Sequence, residues 1–252
     1  MKRTVQIKNL NIGSGMPKIC VPITGVTETE ILAQAVAIKE ASPDLVEWRV
    51  DFFTQREEEK AVEKILSALA EILQGIPLLF TLRTDREGGA AHVDVPKYEK
   101  ILRHALLCPQ TDLIDVEVMQ DVDCAARITD AAHDRNVPVI ASNHHFEGTP
   151  SNEEIDCIFS CMEKTGADIL KMAVMPENGY DVVRMMEQTL RWNERSERPL
   201  ITMSMGTLGG ISRMCGEMTG SSVTFASVTA ASAPGQIDMT SLKYILQILH
   251  RE

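Results

Sequence analysis

No stretch of this 252-residue chain approaches the ~20 consecutive apolar residues that a bilayer-spanning helix needs. The first fifteen residues, MKRTVQIKNLNIGSG, alternate polar and apolar side chains and lack the apolar core of a secretory signal. Both absences exclude a membrane segment and lead to the expectation of a cytoplasmic protein. Cysteines are few and dispersed: Cys20, Cys108, Cys124, Cys157, Cys161 and Cys215 form no C-x-x-C pair and no zinc-type Cys/His spacing. They are read as reduced thiols, so neither disulfides nor a structural metal is expected. Basic residues are in deficit, 25 Lys and Arg against 36 Asp and Glu, a formal charge of -11. That balance argues against nucleic acid, whose phosphates call for clustered cations. There is also no Pro/Gly/Ser-rich linker and no break in composition, which favours a single domain over residues 1–252.

What the chain does have is alternation. Short β-branched runs at 18–24, 44–51, 77–83, 112–118, 137–144, 168–174, 198–205 and 222–228 are separated by amphipathic stretches or room for one. Roughly thirty residues per unit is the spacing of βαβ crossovers, and ~250 residues is the length of one (β/α)₈ barrel. The expected class is therefore α/β, an eight-stranded TIM barrel, with an open doubly wound sheet as the alternative. The opening VQIKNLNIG reads as a hairpin within residues 1–15 that covers the barrel's N-terminal end. Ser151 with Glu154 three residues on predicts a capped helix, and the apolar spacing through Leu66, Leu69 and Leu73 predicts a helix from Arg56 to Gln74.

Strands of a parallel barrel should be almost wholly apolar, because both faces are buried. Here charge intrudes. In Leu45-Val46-Glu47-Trp48-Arg49-Val50-Asp51, period two puts Glu47, Arg49 and Asp51 on one face and Val46, Trp48 and Val50 on the other. A solvated edge strand would account for this one case, but Arg83, Asp115, Glu117, His144 and Lys171 repeat it near the C-terminal ends of other strands. Barrel active sites are built at those ends. Lys171 lies in the otherwise apolar Ile169-Leu170-Lys171-Met172-Ala173-Val174, either as a structural partner of Asp115 or Glu117 or as a nucleophilic amine. His144, one strand away, is placed to move protons beside it. By period two, His145 turns away, and no further ligands cluster to make the two histidines a metal site. His92, His104, His133 and His250 read as surface residues.

Six segments, in order, resemble the type I 3-dehydroquinate dehydratases: Glu47-Trp-Arg-Val-Asp51, Phe80-Thr-Leu-Arg-Thr84 with Glu87-Gly-Gly89, Ser142-Asn-His144, Lys171-Met-Ala-Val-Met-Pro176, Ile211-Ser-Arg213 and Ser232-Ala-Pro-Gly-Gln236. The resemblance spans nearly the whole chain. It implies dehydration of 3-dehydroquinate to 3-dehydroshikimate, in the shikimate pathway, through an imine on Lys171, with His144 as acid and base, Glu87 orienting His144, and no metal or organic cofactor. It further implies that Glu47, Arg49 and Arg83 contact the substrate's hydroxyls, and that Arg213, Ser232 and Gln236 contact its carboxylate and nearby groups. Met203 and Met205 would form an apolar wall, the Gly/Ser/Thr-rich segment 205–236 would include a mobile lid, and the enzyme would be a homodimer. Two departures stand out. His145 and Pro22 occupy positions where relatives place an acidic or amide residue and a substrate-contacting serine. The rival readings are a class I aldolase-type barrel, for which Gly209-Gly210 would cradle a phosphate, and a non-catalytic barrel that binds a metabolite.

Overall fold

Eight of the β-branched runs become parallel strands in the computed structural model, which describes residues 4–228 and 233–250. They are β3 (Lys18–Ile23), β4 (Leu45–Arg49), β5 (Leu78–Thr81), β6 (Leu113–Glu117), β7 (Val139–His145), β8 (Ile169–Val174), β9 (Leu200–Ser204) and β10 (Val223–Ser227). From β3 to β9 each pairs with the next in chain order, and β10 pairs with β3. The two ends of the sheet meet where Ser222 N–H donates to Leu200 O at 2.7 Å, and the Ser221 hydroxyl accepts from Thr202 N–H at 2.9 Å. A closed barrel results, and the open doubly wound alternative falls away. A short strand, β11 (Ile237–Asp238), extends β10 and has no counterpart in the sequence reading.

The connections are α1 (Glu28–Ala41), α2 (Glu59–Leu73), α3 (Val95–Leu107), α4 (Val122–His133), α5 (Asn152–Lys164), α6 (Gly179–Arg195), the short α7 (Gly210–Met214) and α8 (Gly216–Thr219), and α9 (Met239–Leu249). Ser151 and Glu154 close a capping box on α5, as their spacing predicts. The second helix starts later than its apolar pattern suggests. Arg56 and Glu58 donate their backbone N–H groups to Phe53 and Gln55, so tight turns consume residues 53–58 before α2 begins. Of the segment 205–236, within which a lid is expected, residues 205–228 hold α7, α8 and the expected strand β10. Among the described residues, no helix is long and apolar enough to cross a membrane.

Alternation along the strands separates two buried clusters. Outward residues such as Val46, Trp48, Phe80, Ile114, Leu170 and Met172 pack under the helices. Trp48 meets Phe80 edge-on, with ring centroids 5.6 Å apart. Inward residues Cys20, Leu45, Leu79, Leu113, Ile140, Ile169, Ile201 and Val223 form an aliphatic floor near the starts of the strands. Val5, Ile7 and Ile12, from the antiparallel hairpin β1 (Val5–Ile7) and β2 (Leu10–Ile12), belong to the same cluster. Removing each such side chain from water contributes about 1.5–3 kcal/mol. Two residues further along β4, β5, β6, β7 and β8, the inward positions turn polar. Strand β4 is flanked by β3 and β5 and is buried throughout, so its charged face is interior and not a solvated edge.

Candidate active site

Above the aliphatic floor, period two carries Glu47, Thr81, Asp115, Ser142 and Lys171 into the barrel, one pleat above Leu45, Leu79, Leu113, Ile140 and Ile169. All of them are buried. A charged layer survives burial only if each charge is paired and hydrogen-bonded, and here the pairing is dense. Lys171 Nζ donates to Asp115 Oδ2 at 3.0 Å and lies 3.8 Å from Glu47 Oε1. Thr81 donates to Glu47 Oε1 at 2.9 Å. Below the amine, the Phe225 ring centroid is 4.7 Å from Nζ, a cation–π contact. Lys171 therefore has Asp115 as its ion partner, one of the two acids the sequence offered. Glu117 goes elsewhere.

Glu117 joins a network around Arg83. That guanidinium reaches Asp115 Oδ1 at 2.7 Å, Glu117 Oε1 at 2.9 Å, Ser142 Oγ at 3.1 Å and Glu87 Oε2 at 3.4 Å. Thr84 donates to Glu117 from both its N–H and its hydroxyl, and Gln120 donates to Glu117 as well. Burial opposes charge on Arg83, yet its three carboxylates raise its pKa well above the ordinary range. Burial likewise favours protonation of Asp115, but Arg83 and Lys171 hold it down to about 2. Arg49 is clamped by Asp51 through Nε–Oδ1 at 2.7 Å and Nη2–Oδ2 at 2.8 Å. Asp51 also accepts Ala90 N–H at 3.0 Å, tying this arginine to the turn that carries Glu87.

Strand β7 places Ser142 beside Lys171 and His144 two residues further up the same face. His144 Nδ1 lies 2.8 Å from Glu87 Oε2, and Asn143 Nδ2 donates to Glu87 Oε1 at 3.2 Å. Burial, reinforced by the nearby charge of Glu117, pushes Glu87 up to about 8. Burial, then the fields of Arg83 and Lys171, push His144 well below the usual imidazole range. Both shifts favour the neutral pair over an imidazolium–carboxylate ion pair, which leaves His144 able to accept a proton near neutral pH. Gly88 makes this arrangement possible. Its φ of 76° suits glycine, and a Cβ there would lie 2.3 Å from the Phe146 ring.

Glu87's raised pKa has a consequence for stability. Between the free-acid value of 4.5 and about 8, the unfolded chain releases this proton while the folded chain keeps it. Folding is therefore progressively disfavoured across that window and unaffected below it. Glu87→Gln, which has no proton to lose, should gain at least about 1.4 kcal/mol on the parent between pH 5 and 8, one pKa unit's worth. Urea denaturation of both proteins across that range tests this, and parallel stability curves would refute the shift.

Lys171, His144, Glu87, Glu47, Arg49 and Arg83 border one cavity of about 610 Å³, open to solvent at its mouth. Met203, Met205, Arg213 and Gln236 border it too. The tenfold convergence comes from β4, β7, β8 and β9, the loops after β5, β9 and β10, and α7. Ser232 lies outside the described residues. Arg213 differs from the other arginines. It is 2% exposed, its Nη2 donates to Pro234 O at 3.1 Å, its Nη1 lies 3.7 Å from Met203 Sδ, and its Nε has no partner. Among the described residues no carboxylate pairs with it, and burial alone brings its pKa down to about 10.

His145 is half-buried among Glu154 and Glu147 and borders no part of this cavity, in accord with the alternation of β7. Pro22 is buried beside Glu47 in the ladder and does not reach the cavity either. Phe225, Phe146, Tyr98 and Gln120 were missed by the sequence reading. Phe225 shares the inward face of β10 with Val223, so the strand period alone could have found it. Tyr98 accepts Glu117 N–H from a helix, and no local pattern signals that contact.

The model of the type I 3-dehydroquinase family matches residues 19–252. The chain belongs to this family. A 3-dehydroquinate dehydratase of Clostridioides difficile is 43% identical over 255 residues, covering 100% of this chain and 99% of that protein. The Bacillus subtilis 3-dehydroquinate dehydratase is 42% identical, covering 97% and 96%. Among solved structures, the type I 3-dehydroquinate dehydratase of Clostridium difficile with covalently modified comenic acid superposes with a TM-score of 0.96 at 43% identity, covering 99% of each chain. The Geobacillus kaustophilus 3-dehydroquinate dehydratase gives 0.95 at 34% identity, covering 99% of this chain and 98% of that one. Family membership also accounts for the barrel and its hairpin, which these relatives share across essentially their full length.

Proposed function

We propose that this protein dehydrates 3-dehydroquinate to 3-dehydroshikimate through a Schiff base on Lys171. The observation that carries the reading is a buried amine between an acid–base pair and a guanidinium that lacks a carboxylate partner among the described residues. Lys171 Nζ adds to the substrate's keto carbon and the carbonyl oxygen leaves as water, giving an iminium. The iminium withdraws electrons from the adjacent carbon, and His144 takes the proton released there. The resulting enamine expels the β-hydroxyl, which leaves as water with the proton returned by His144. Hydrolysis of the conjugated iminium then frees the amine and the product. The net change is loss of one water, with no redox step and no role required for a metal or organic cofactor.

Arg213 is the receptor for the substrate carboxylate, because a guanidinium fork matches a carboxylate and the cavity supplies no competing anion to it. With Gln236 and Ser232 it fixes the ring relative to Lys171. Glu47, Arg49 and Arg83 line the side on which the hydroxyls lie, while Met203 and Met205 form the apolar wall. Arg83 is so fully engaged by carboxylates that it also serves as scaffold. The phosphate-sugar aldolase alternative loses its main support, since Gly209 is explained by packing: a Cβ there would lie 2.1 Å from Ser204 O.

Formation of the conjugated enone product from 3-dehydroquinate is followed by its ultraviolet absorbance. Borohydride added during turnover should leave a reduced adduct, mapped by peptide mass to Lys171. A folded protein that turns over no substrate, or an adduct on another lysine, defeats the assignment. His144→Ala should lower turnover by about 10²–10⁴-fold while still yielding some trapped imine, and a folded variant that traps nothing would contradict the division of roles. The same reading makes the enzyme a cytoplasmic homodimer, for which light scattering should give twice the 27.9 kDa chain mass.

A further inference from the structure

Away from the barrel mouth, α2 and α3 face each other across a groove in which three different metal-ligating side chains converge. Glu63 comes from α2. His104 and Cys108 come from the end of α3, spaced by four residues and therefore on one helix face. A carboxylate oxygen of Glu63, a ring nitrogen of His104 and Cys108 Sγ all lie within 4.8 Å of one another. His104 Nε2 is 3.4 Å from Glu63 Oε1, while Nδ1 on the opposite side of the ring is 4.0 Å from Glu59 Oε2. The Cys108 thiol points back along the helix and donates to His104 O at 3.7 Å.

We propose that Glu63, His104 and Cys108 form a binding site for a thiophilic divalent cation, Zn²⁺ in the first instance, that ties α2 to α3. A mixed thiolate, imidazole and carboxylate set selects zinc-like ions over Mg²⁺ or Ca²⁺, which take oxygen ligands. Zinc bonds of about 2.0–2.3 Å place tetrahedral ligand atoms roughly 3.3–3.7 Å apart. The Nε2–Glu63 separation already has that value. Glu63 is exposed and can swing to close the remaining gap, whereas Cys108 is buried and His104 half-buried, so two of the three ligands are already held. Glu59 Oε2 stands 4.0 Å behind Nδ1, and on closing to hydrogen-bond distance it would hold the hydrogen there and free Nε2 for the metal. In doing so Nε2 gives up its 3.2 Å contact with Glu59 O. Three protein ligands leave the fourth position to water. The thiolate is the ligand form of cysteine, so the cation displaces the Cys108 proton on binding. A search for C-x-x-C spacing passes over this set, because its cysteine and histidine are one helical turn apart and its carboxylate is on another helix.

Cobalt(II) titration of chelator-treated protein, followed by its thiolate charge-transfer absorption, is the test. One equivalent of cobalt per chain should develop the band, and zinc should displace it. Cys108→Ser should abolish the band, and His104→Ala should weaken cobalt binding at least tenfold. Both variants should keep full dehydratase turnover, since neither residue borders the catalytic cavity. Absence of the band, a band that persists in Cys108→Ser, or unchanged affinity in His104→Ala each overturns the site. Should Cys108→Ser fail to fold, the His104→Ala titration decides alone.

Discussion

Lys171→Met should lose turnover of 3-dehydroquinate by on the order of 10⁴-fold or more, the scale on which removing a covalent catalyst acts, and should leave no borohydride-trapped adduct. Methionine fills nearly the same volume without an amine, so the barrel interior stays packed. Loss of trapping with retained helical circular dichroism separates loss of chemistry from loss of fold. The substitution also removes the cation 3.0 Å from Asp115 and 3.8 Å from Glu47. Since Lys171 and Arg83 together hold Asp115 down to about 2, the Asp115 carboxyl should titrate at a higher pH in the variant. Residual turnover within tenfold of the parent would show that the amine is not the nucleophile.

Arg83→Met should be the costliest substitution for stability. It strips the common counter-ion from Asp115, Glu117 and Glu87, all buried. Breaking one buried pair by removing one partner costs about 3–5 kcal/mol, because the charge left behind is uncompensated. Glu117 is left without a cation, while Asp115 keeps Lys171 and Glu87 carries its proton near neutral pH, so the loss should fall in that range, and the protonation of Glu87 should extend to still higher pH. Chemical denaturation measures it. Adding Glu117→Gln to Arg83→Met should recover part of the loss, since that carboxylate is the next charge in the network. A single variant as stable as the parent would mean that the network is not held by this arginine.

The strand–helix alternation made the barrel legible, because a closed parallel sheet and its helices leave a strong period in hydrophobicity. The inward charges were legible for the same reason: Glu47, Arg49 and Lys171 violate an apolar pattern that two buried faces impose. What the pattern could not give was partners. Asp115 and Glu117 sit two residues apart on one strand with the same local signal and both reach Arg83, yet Asp115 turns its other oxygen to Lys171 and Glu117 turns to Thr84 and Gln120. That choice depends on the register between strands, which no single segment encodes. The onset of α2 was misplaced because Arg56 lies in a helical apolar rhythm while its backbone closes a turn on Phe53.

The pocket around Lys171 Nζ, with Asp115 and Glu47 to one side and the Phe225 face beneath, gathers two carboxylates and a ring face at one point. A protonated imine formed at that point meets groups already oriented toward positive charge, so little reorganisation of the surroundings accompanies its formation. Proton transfer belongs to the His144 side, where the neutral pair with Glu87 can take up one proton and give it back.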